Sequence, residues 1–205
     1  MTNVTVIGAG KMGGAISALA TAGGNTVQVL ARDAAKAAAA NPSAATGVIG
    51  DPITGDIVVL ALPYPAIAEV LATYAGQLDG KILVDLSNPV DFSTFDSLVV
   101  PVGGSAAQEI AELAPNSRIV KAFNTNLAAT LASGSVGAEA TTVLIAGDDT
   151  DAKDALAAVV TSGNIKAKDA GSLKRAHELE ALGFLQLTLA ASEKTSWTSG
   201  FALAE

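Results

Sequence analysis

Residues 4–14 have the sequence VTVIGAGKMGG, and this stretch decides the fold. The apolar residues 4–7 are typical of a short buried strand, and the spacing Gly-x-Gly-x-x-Gly follows at the point where a helix should begin. In such a loop the glycines permit a tight turn, a close approach of backbone to pyrophosphate, and close packing of helix on strand. The stretch therefore predicts a dinucleotide-binding site, with a purely structural glycine turn as the alternative. The predicted site residues of the loop are Gly8, Ala9, Gly10, Lys11, Met12 and Gly13.

Beyond this loop, β-branched apolar segments alternate with alanine-rich segments. The strand candidates are Val4–Ile7, Thr26–Leu30, Ile57–Ala61, Ile82–Leu86, Arg118–Phe123, Thr141–Ala146 and Asn164–Asp169. The helix candidates are 12–22, 33–40, 64–75, 104–113, 125–132, 150–161 and 171–192. This alternation predicts an α/β fold of the Rossmann type, with a doubly wound, mostly parallel sheet, helices on both faces and a long C-terminal helix.

Composition limits the classes of protein to which the chain can belong. Its 205 residues favour a single domain over 1–205, in which 171–205 form the last helix and a tail. No apolar run reaches the roughly 18–20 residues that cross a bilayer, and residues 1–10 do not resemble a signal peptide, so we expect a cytoplasmic protein. The net charge of −8 disfavours binding to nucleic acid or to an anionic membrane.

The end of the second strand candidate selects between NAD and NADP. NAD enzymes usually place a carboxylate there for the ribose hydroxyls, whereas a 2′-phosphate calls for arginine. In VQVLARDAAK (27–36) the position holds Arg32, and Lys36 follows one helical turn later. The sequence therefore favours NADP, with Asp33 capping the next helix. The alternative is that Arg32 and Lys36 are ordinary solvated residues.

Three later segments are more selective than the glycine loop: VLALPYP (59–65), VDLSNPV (84–90) and IVKAFNTN (119–126). Together with the loop they resemble the family of coenzyme F420-dependent NADP reductases. They are also similar to the cytosolic reductase domain of metalloreductases that pass electrons to ferric and cupric ions. The stretch 171–190 looks like the family's closing helix, so the resemblance covers essentially the whole chain.

The resemblance implies an NADP(H)-dependent oxidoreductase that moves hydride between NADPH and coenzyme F420, a deazaflavin, or a flavin-type acceptor, and that forms a homodimer. By position it implies that Arg32 holds the 2′-phosphate, although Ala31 stands where the family often has a hydroxyl residue. It places the loop after strand 57–61 against the adenosine side and two further segments near the nicotinamide. The implied residues are Leu62, Pro63 and Tyr64 for the loop, and Asn88, Pro89, Asn124 and Thr125 near the nicotinamide, with Phe123 beside them.

Each of these residues also has a structural interpretation. Pro63 and Pro89 can shape turns, Phe123 is better explained as core, and Asn124 can cap a helix. For Asn88 and Asn124 we favour ligand contact, because both follow strands at the edge where open α/β sheets bind ligands.

The chain offers little material for catalysis by side chains. It has no cysteine and one histidine, His177, which lies in a helical stretch with charged neighbours. We predict neither a catalytic residue nor a metal site, and interpret the aspartates at 148–154 as a turn and a helix start. Hydride transfer between two cofactors needs no protein nucleophile. A reductase of small imines or carbonyls and a non-catalytic NADP-binding redox sensor remain the alternatives.

A second site is expected over the nicotinamide, formed by 88–92 and 123–127 with the last helix. The tail 192–205 holds Trp197 and Phe201, side chains that are costly to leave in water. We therefore expect the tail to pack on the body or across a dimer interface near the second cofactor.

Overall fold

A computed structural model describes residues 1–204. The main sheet of this part contains eight strands, and two further strands form a small hairpin. The strands are β1 (Asn3–Ile7), β2 (Thr26–Ala31), β3 (Ala45–Val48), β4 (Ile57–Leu60), β5 (Ile82–Asp85), β6 (Arg118–Ala122), the hairpin β7 (Ser135–Val136) and β8 (Glu139–Ala140), β9 (Thr142–Gly147) and β10 (Lys166–Gly171).

The order across the main sheet is β10-β9-β6-β5-β4-β1-β2-β3. All neighbours run parallel except β6 and β9, so β9 and β10 point opposite to the other six strands. The sequence-based expectation of a mostly parallel, Rossmann-type sheet is confirmed.

Helices cover both faces of this sheet. They are α1 (Lys11–Ala22), α2 (Ala34–Ala40), α3 (Ile67–Thr73), α4 (Ala106–Leu113), α5 (Ala128–Ser133), α6 (Thr150–Ser162) and α7 (Ala176–Ala191), with single 3-10 turns at Tyr64–Ala66 and Leu173–Arg175. None of the helices within residues 1–204 is long and apolar enough to span a bilayer.

Strand residues alternate between two apolar clusters. On one face Val6, Val29 and Val59 pack with Ile16 of α1 and with buried residues of α6. On the other face Leu60 and Leu83 pack with α3 and α4. This alternation explains why the strands are apolar at nearly every position, since both of their faces are buried.

The structure differs from the expected elements in several places, one of which is the unpredicted hairpin β7–β8. Residues 45–48 form β3, an edge strand whose composition, ATGV, lacks a run of large apolar residues, so that no strand was predicted there. The last helix begins at Ala176 instead of 171, because β10 continues to Gly171. Helix α5 begins at Ala128 instead of 125, after an irregular segment in which Phe123 has φ of +64°.

Strand β9 runs opposite to β6, although the connection between them, 123–141, is as long as the one that joins the parallel strands β1 and β2. Helix α5 has 6 residues and so spans only about 9 Å, less than the length of β6. The hairpin β7–β8 follows, and the chain enters β9 from the end at which β6 leaves the sheet. Strand β10 then pairs parallel to β9 after the longer helix α6.

Candidate cofactor site

The glycine loop has the backbone geometry that a pyrophosphate site requires. Gly8 has φ of +119°, and a Cβ atom there would overlap the carbonyl oxygen of Ala61. A Cβ at Gly13 would overlap the carbonyl oxygen of Gly8, whereas the space around Gly10 is open. Helix α1 starts directly after Gly10 without a side-chain cap, so its first N–H groups are available to an anion. These residues fit a dinucleotide pyrophosphate.

Arg32 lies beside this loop, at the tip of β2. The N–H of Gly8 donates to the carbonyl of Leu30 at 2.8 Å, which places the start of the loop two residues from Arg32. Arg32 and Lys36 are exposed and form no ion pair within residues 1–204. The predicted cap is confirmed, because Asp33 Oδ1 accepts hydrogen bonds from the N–H groups of Ala35 (2.8 Å) and Lys36 (3.3 Å).

A cavity of about 480 Å³ lies at the carboxyl ends of β4, β5 and β6, next to the start of α1. Its size is within the range of small-molecule sites, roughly 300–1,000 Å³. Seven of the residues predicted from the sequence line it: Lys11, Met12, Leu62, Pro63, Tyr64, Asn88 and Asn124. The segment predicted for the adenosine side, Leu62–Tyr64, thus shares one cavity with the pair predicted for the nicotinamide side.

Asn88 and Asn124 hold each other in this cavity. Asn88 Nδ2 donates to the Asn124 carbonyl, and Asn124 Nδ2 donates to Asn88 Oδ1, both at 2.9 Å. Asn124 Nδ2 also donates to the carbonyl of Leu179 in α7 at 2.7 Å. Asn124 therefore does not cap α5; it joins the loop after β6 to the loop after β5 and to the last helix.

Three side-chain atoms of lining residues are buried without a hydrogen-bond partner in residues 1–204. They are Ser87 Oγ, Asn124 Oδ1 and Asn126 Oδ1. Asn126 is anchored through Nδ2, which donates to the Thr142 carbonyl at 3.0 Å. Buried polar groups are nearly always hydrogen-bonded, so these acceptors mark a place where a ligand's N–H groups can be satisfied.

Tyr64 begins the 3-10 turn after β4 and donates its hydroxyl proton to Glu109 Oε2 of α4. Burial, followed by the hydrogen bond to the Glu109 carboxylate, raises the pKa of Tyr64 far above its usual range. The phenol is therefore a neutral hydrogen-bond donor, fixed toward α4 and unsuited to act as a base.

Beneath the cavity lies a fully buried ionic network that the sequence analysis missed. Lys121 Nζ of β6 contacts Asp85 Oδ2 at 2.7 Å, Glu180 Oε1 at 2.8 Å and the Ser87 carbonyl at 2.6 Å. Glu180 in turn accepts hydrogen bonds from the N–H groups of Ala106 (2.9 Å) and Ala107 (3.3 Å) at the start of α4. Burial is the largest influence on Glu180 and raises its pKa, against the opposing effect of Lys121.

The remaining predicted residues lie outside the cavity lining. Pro89 and Thr125 are buried, while the other glycine-loop residues, Arg32 and Lys36 are the residues predicted for the pyrophosphate and the ribose phosphate. Phe123 is 1% exposed and packs in the core, as expected, yet it also lines the cavity.

The side chains of His177, Asp148 and Asp149, which were expected to be structural, contact backbone groups of the fold. Nδ1 of His177 lies 3.0 Å from the Gly104 carbonyl. Asp149 caps α6 by accepting from the Ala152 N–H at 2.7 Å, and Asp148 accepts from the Leu173 N–H at 2.9 Å. Within residues 1–204 no group of side chains could hold a metal ion.

Sequence reasoning placed the second site at 88–92, 123–127 and the last helix, and the structure brings these segments together in the cavity. It did not single out the individual residues that complete the lining. These are Leu86, Ser87, Phe92, Asn126, Leu127, Ala128, Ala129, Leu187 and Thr198. Trp197, which the sequence analysis named and expected near the second cofactor, also lines the cavity.

Comparison with known proteins agrees with this geometry. Residues 3–89 match the family model described as NADP oxidoreductase, coenzyme F420-dependent. The F420-dependent NADP reductase of Methanocaldococcus jannaschii is 27% identical over 148 residues, which are 70% of this chain and 66% of that protein. The metalloreductase STEAP3 of Rattus norvegicus is 29% identical over 180 residues, 87% of this chain and 36% of that protein. The chain thus spans about two thirds of the first relative and about a third of the second.

A crystal structure from Arthrobacter sp. FB24, provisionally described as an F420-dependent NADP reductase, has the same fold. It superposes with a TM-score of 0.85 at 23% identity and covers 100% of both chains. The resemblance inferred from the glycine loop and the three later segments is therefore confirmed, and the chain is similar to the coenzyme F420-dependent NADP oxidoreductases, over residues 3–89 for the family model.

Proposed function

We propose that the chain is an NADP(H)-dependent oxidoreductase that transfers hydride between NADPH and coenzyme F420, a deazaflavin, or a flavin-type acceptor. The observation that carries this proposal is the cavity itself. It begins at Lys11 and Met12 of the glycine loop and ends at aromatic side chains outside the dinucleotide-binding half, so it offers room for a second ring beside the nicotinamide.

The residues divide the binding of NADPH among them. The open backbone at Gly10 and the start of α1 bind the pyrophosphate, and Arg32 with Lys36 binds the 2′-phosphate. The buried acceptors of Asn124 and Asn126 suit N–H donors such as those of a carboxamide. When bound, NADPH supplies a hydride that the acceptor ring takes up together with one solvent proton.

The protein's contribution to the chemistry is alignment and exclusion of water. The mutual hydrogen bonds of Asn88 and Asn124 fix the cavity wall, and Leu86, Phe123 and Leu127 make that wall apolar. Tyr64 is not a good general base, since its pKa is raised and its proton is directed to Glu109. A reaction that needs only hydride transfer between aligned rings suits this site.

The test is anaerobic mixing of the protein and NADPH with a 5-deazaflavin, with riboflavin 5′-phosphate, or with a cyclic imine, followed at the nicotinamide absorbance band. We expect oxidation of NADPH with a flavin-type ring. Oxidation with the imine alone would favour the imine reductase, and tight NADPH binding without oxidation by any acceptor would favour the redox sensor.

We further propose that the protein is a cytoplasmic homodimer. Exposed apolar side chains on α7 and at the end of the tail support an interface there, among them Leu185 and Leu203. Light scattering should give twice the mass of one chain, and a monomer would contradict this.

A further inference from the structure

Two large aromatic side chains stand at the mouth of the cavity and remain open to solvent. Phe92 is 59% exposed and Trp197 is 53% exposed, and both line the cavity. Large aromatic surface is costly to leave in water, and when it is exposed at the edge of a cavity it marks a binding surface. We call this pair the aromatic rim.

Phe92 is held in place by the turn that carries it. Asp91 Oδ1 accepts hydrogen bonds from the N–H of Ser93 (2.9 Å) and from its hydroxyl (2.6 Å), and the Asp91 carbonyl accepts from the Phe95 N–H at 2.7 Å. The rings of Phe92 and Phe95 meet edge to face, 5.4 Å apart at 74°. Phe95 has φ of +55°, a conformation that bulky residues rarely adopt. The hydrogen bonds of Asp91 and the contact between the two rings stabilise the turn in this conformation.

Trp197 is held by the folding of the tail onto α7. The N–H groups of Lys194 (2.9 Å) and Thr195 (3.2 Å) donate to the Leu189 carbonyl, which ends the helix. Further on, the N–H of Phe201 donates to Gln186 Oε1 at 3.2 Å, and Gln186 is 4% exposed. The tail is thus fastened on both sides of Trp197, and the indole is placed at the cavity instead of pointing freely into water.

The rim comes from outside the strand and helix units that bind the dinucleotide. Lys11 and Met12 define the cofactor end of the cavity, whereas Phe92 follows β5 by seven residues and Trp197 follows α7. Aromatic faces stack well on flat conjugated rings and add little for a small non-aromatic imine.

We propose that Phe92 and Trp197 bind the flat ring of the hydride acceptor, so that they select a tricyclic deazaflavin or flavin over smaller acceptors. This inference rests on the proposed function and names the residues that recognise its second substrate. Under this proposal Trp197 determines the specificity for the acceptor, whereas the glycine loop and Arg32 determine the affinity for NADPH.

The test measures dissociation constants of riboflavin 5′-phosphate and of its 5-deaza analogue for the wild type and the variants W197A, W197F and F92A. The control is F201A, which removes an aromatic side chain that is 46% exposed on the same tail but does not line the cavity. The ligand's own fluorescence reports binding in all variants. In the wild type the emission of Trp197 should also be quenched, and this is the only tryptophan of the chain.

We expect W197A and F92A to weaken ring binding by at least about tenfold, as removal of an aromatic stacking partner typically does. W197F should retain most of the affinity, F201A should match the wild type, and NADPH should bind all of them equally. Unchanged ring binding in W197A and F92A, absent ring binding in the wild type, or an equal loss of NADPH affinity would each overturn the proposal.

These outcomes are separable from failure of the proposed function. If W197A and F92A weaken ring binding but the wild type does not oxidise NADPH, the role of the aromatic rim in binding is supported and hydride transfer is contradicted. Hydride transfer with the same KM for the ring in W197A, F92A and the wild type would support the function and overturn the rim.

Discussion

We propose that the choice between NADP and NAD depends on Arg32. Its guanidinium is exposed at the tip of β2, without an ion pair in residues 1–204, and Asp33 beside it is engaged as a helix cap. A planar guanidinium binds phosphate with two hydrogen bonds, whereas the capping carboxylate is turned to the backbone of α2. This arrangement favours a 2′-phosphate over a free ribose hydroxyl even though Ala31 contributes no hydroxyl.

Replacing Arg32 with alanine should raise the KM for NADPH by about 10- to 100-fold, since charged hydrogen bonds contribute roughly 1.5–3 kcal/mol each. The KM for NADH should change little. Steady-state kinetics with both cofactors measure the ratio, with K166A as the control, because Lys166 is an exposed lysine on β10 at the far edge of the sheet. Equal changes for NADPH and NADH would contradict the assignment.

Tyr64 should make stability sensitive to alkaline pH. Burial and then the Glu109 carboxylate raise its pKa in the folded chain, so above the unfolded value of about 10 only the unfolded state loses the proton. The free energy of unfolding should therefore fall as the pH rises through this window. Y64F should lose less stability than the wild type in urea unfolding between about pH 9 and pH 11.

Some alkaline loss should remain in Y64F, because burial also raises the pKa of Tyr74, the other tyrosine of the chain. The same loss in Y64F and in the wild type would show that Tyr64 ionises freely in the folded protein.

At the scale of elements, α7 can pack closely against the wall of the cavity because its residue at the contact is a glycine, Gly183. A Cβ atom at Gly183 would overlap Asn88 Oδ1 and lie 2.8 Å from the Asn124 carbonyl oxygen. The helix can therefore approach the Asn88–Asn124 pair closely enough for the Leu179 carbonyl to accept from Asn124.

G183A should destabilise the protein by about 1–3 kcal/mol, the usual cost of overpacking, although glycine to alanine normally favours a helix. G14A in α1 is the matched control, because its Cβ would approach no atom closer than 3.5 Å, and it should gain about 0.5–1 kcal/mol. Urea unfolding compares the two variants. Stabilisation of similar size in both would contradict the close packing of α7.

The elements show what local sequence could and could not predict. Strands buried on both faces, the glycine turn and the Asp33 cap each leave a local pattern, and these were predicted correctly. Edge strand β3 has no such pattern, since only one side is paired and most of its residues are exposed. The reversal at β9 also leaves no local pattern, since β9 is an apolar strand like its parallel neighbours.

At the scale of the whole molecule, the Lys121 network joins distant parts of the chain. Asp85 of β5 and Glu180 of α7 lie 36 and 59 residues from Lys121, and Glu180 reaches the start of α4. Lys121 and Asp85 are 0% exposed and Glu180 is 1% exposed. Asp85 and Lys121 lie in the otherwise apolar segments ILVD and RIVKA, and this pattern indicates that both charged side chains are buried. Their partner on α7 could be identified only from the fold, which brings the three residues together.

K121M should lower the free energy of unfolding by about 3–5 kcal/mol, because it leaves two buried carboxylates without their cation. K153M is the control, since its partner Asp169 has a side chain that is 59% exposed and can be solvated when the pair is removed. Its loss should be about 1 kcal/mol or less for the ion pair itself. Urea unfolding measures both losses. Similar losses in the two variants would show that the buried Lys121 network contributes no more to the free energy of unfolding than a partly exposed ion pair does.

The central claim, direct hydride transfer between rings aligned in the cavity at the carboxyl ends of β4 to β6, has one decisive measurement. The protein is mixed anaerobically with a 5-deazaflavin and with NADPH that carries deuterium at one face of nicotinamide C4, and the reduced ring is analysed by mass spectrometry. We predict that one of the two NADPH stereoisomers delivers its deuterium to the ring, since a fixed cavity presents a single face. A ring that is bound together with NADPH yet acquires deuterium from neither stereoisomer would contradict the account.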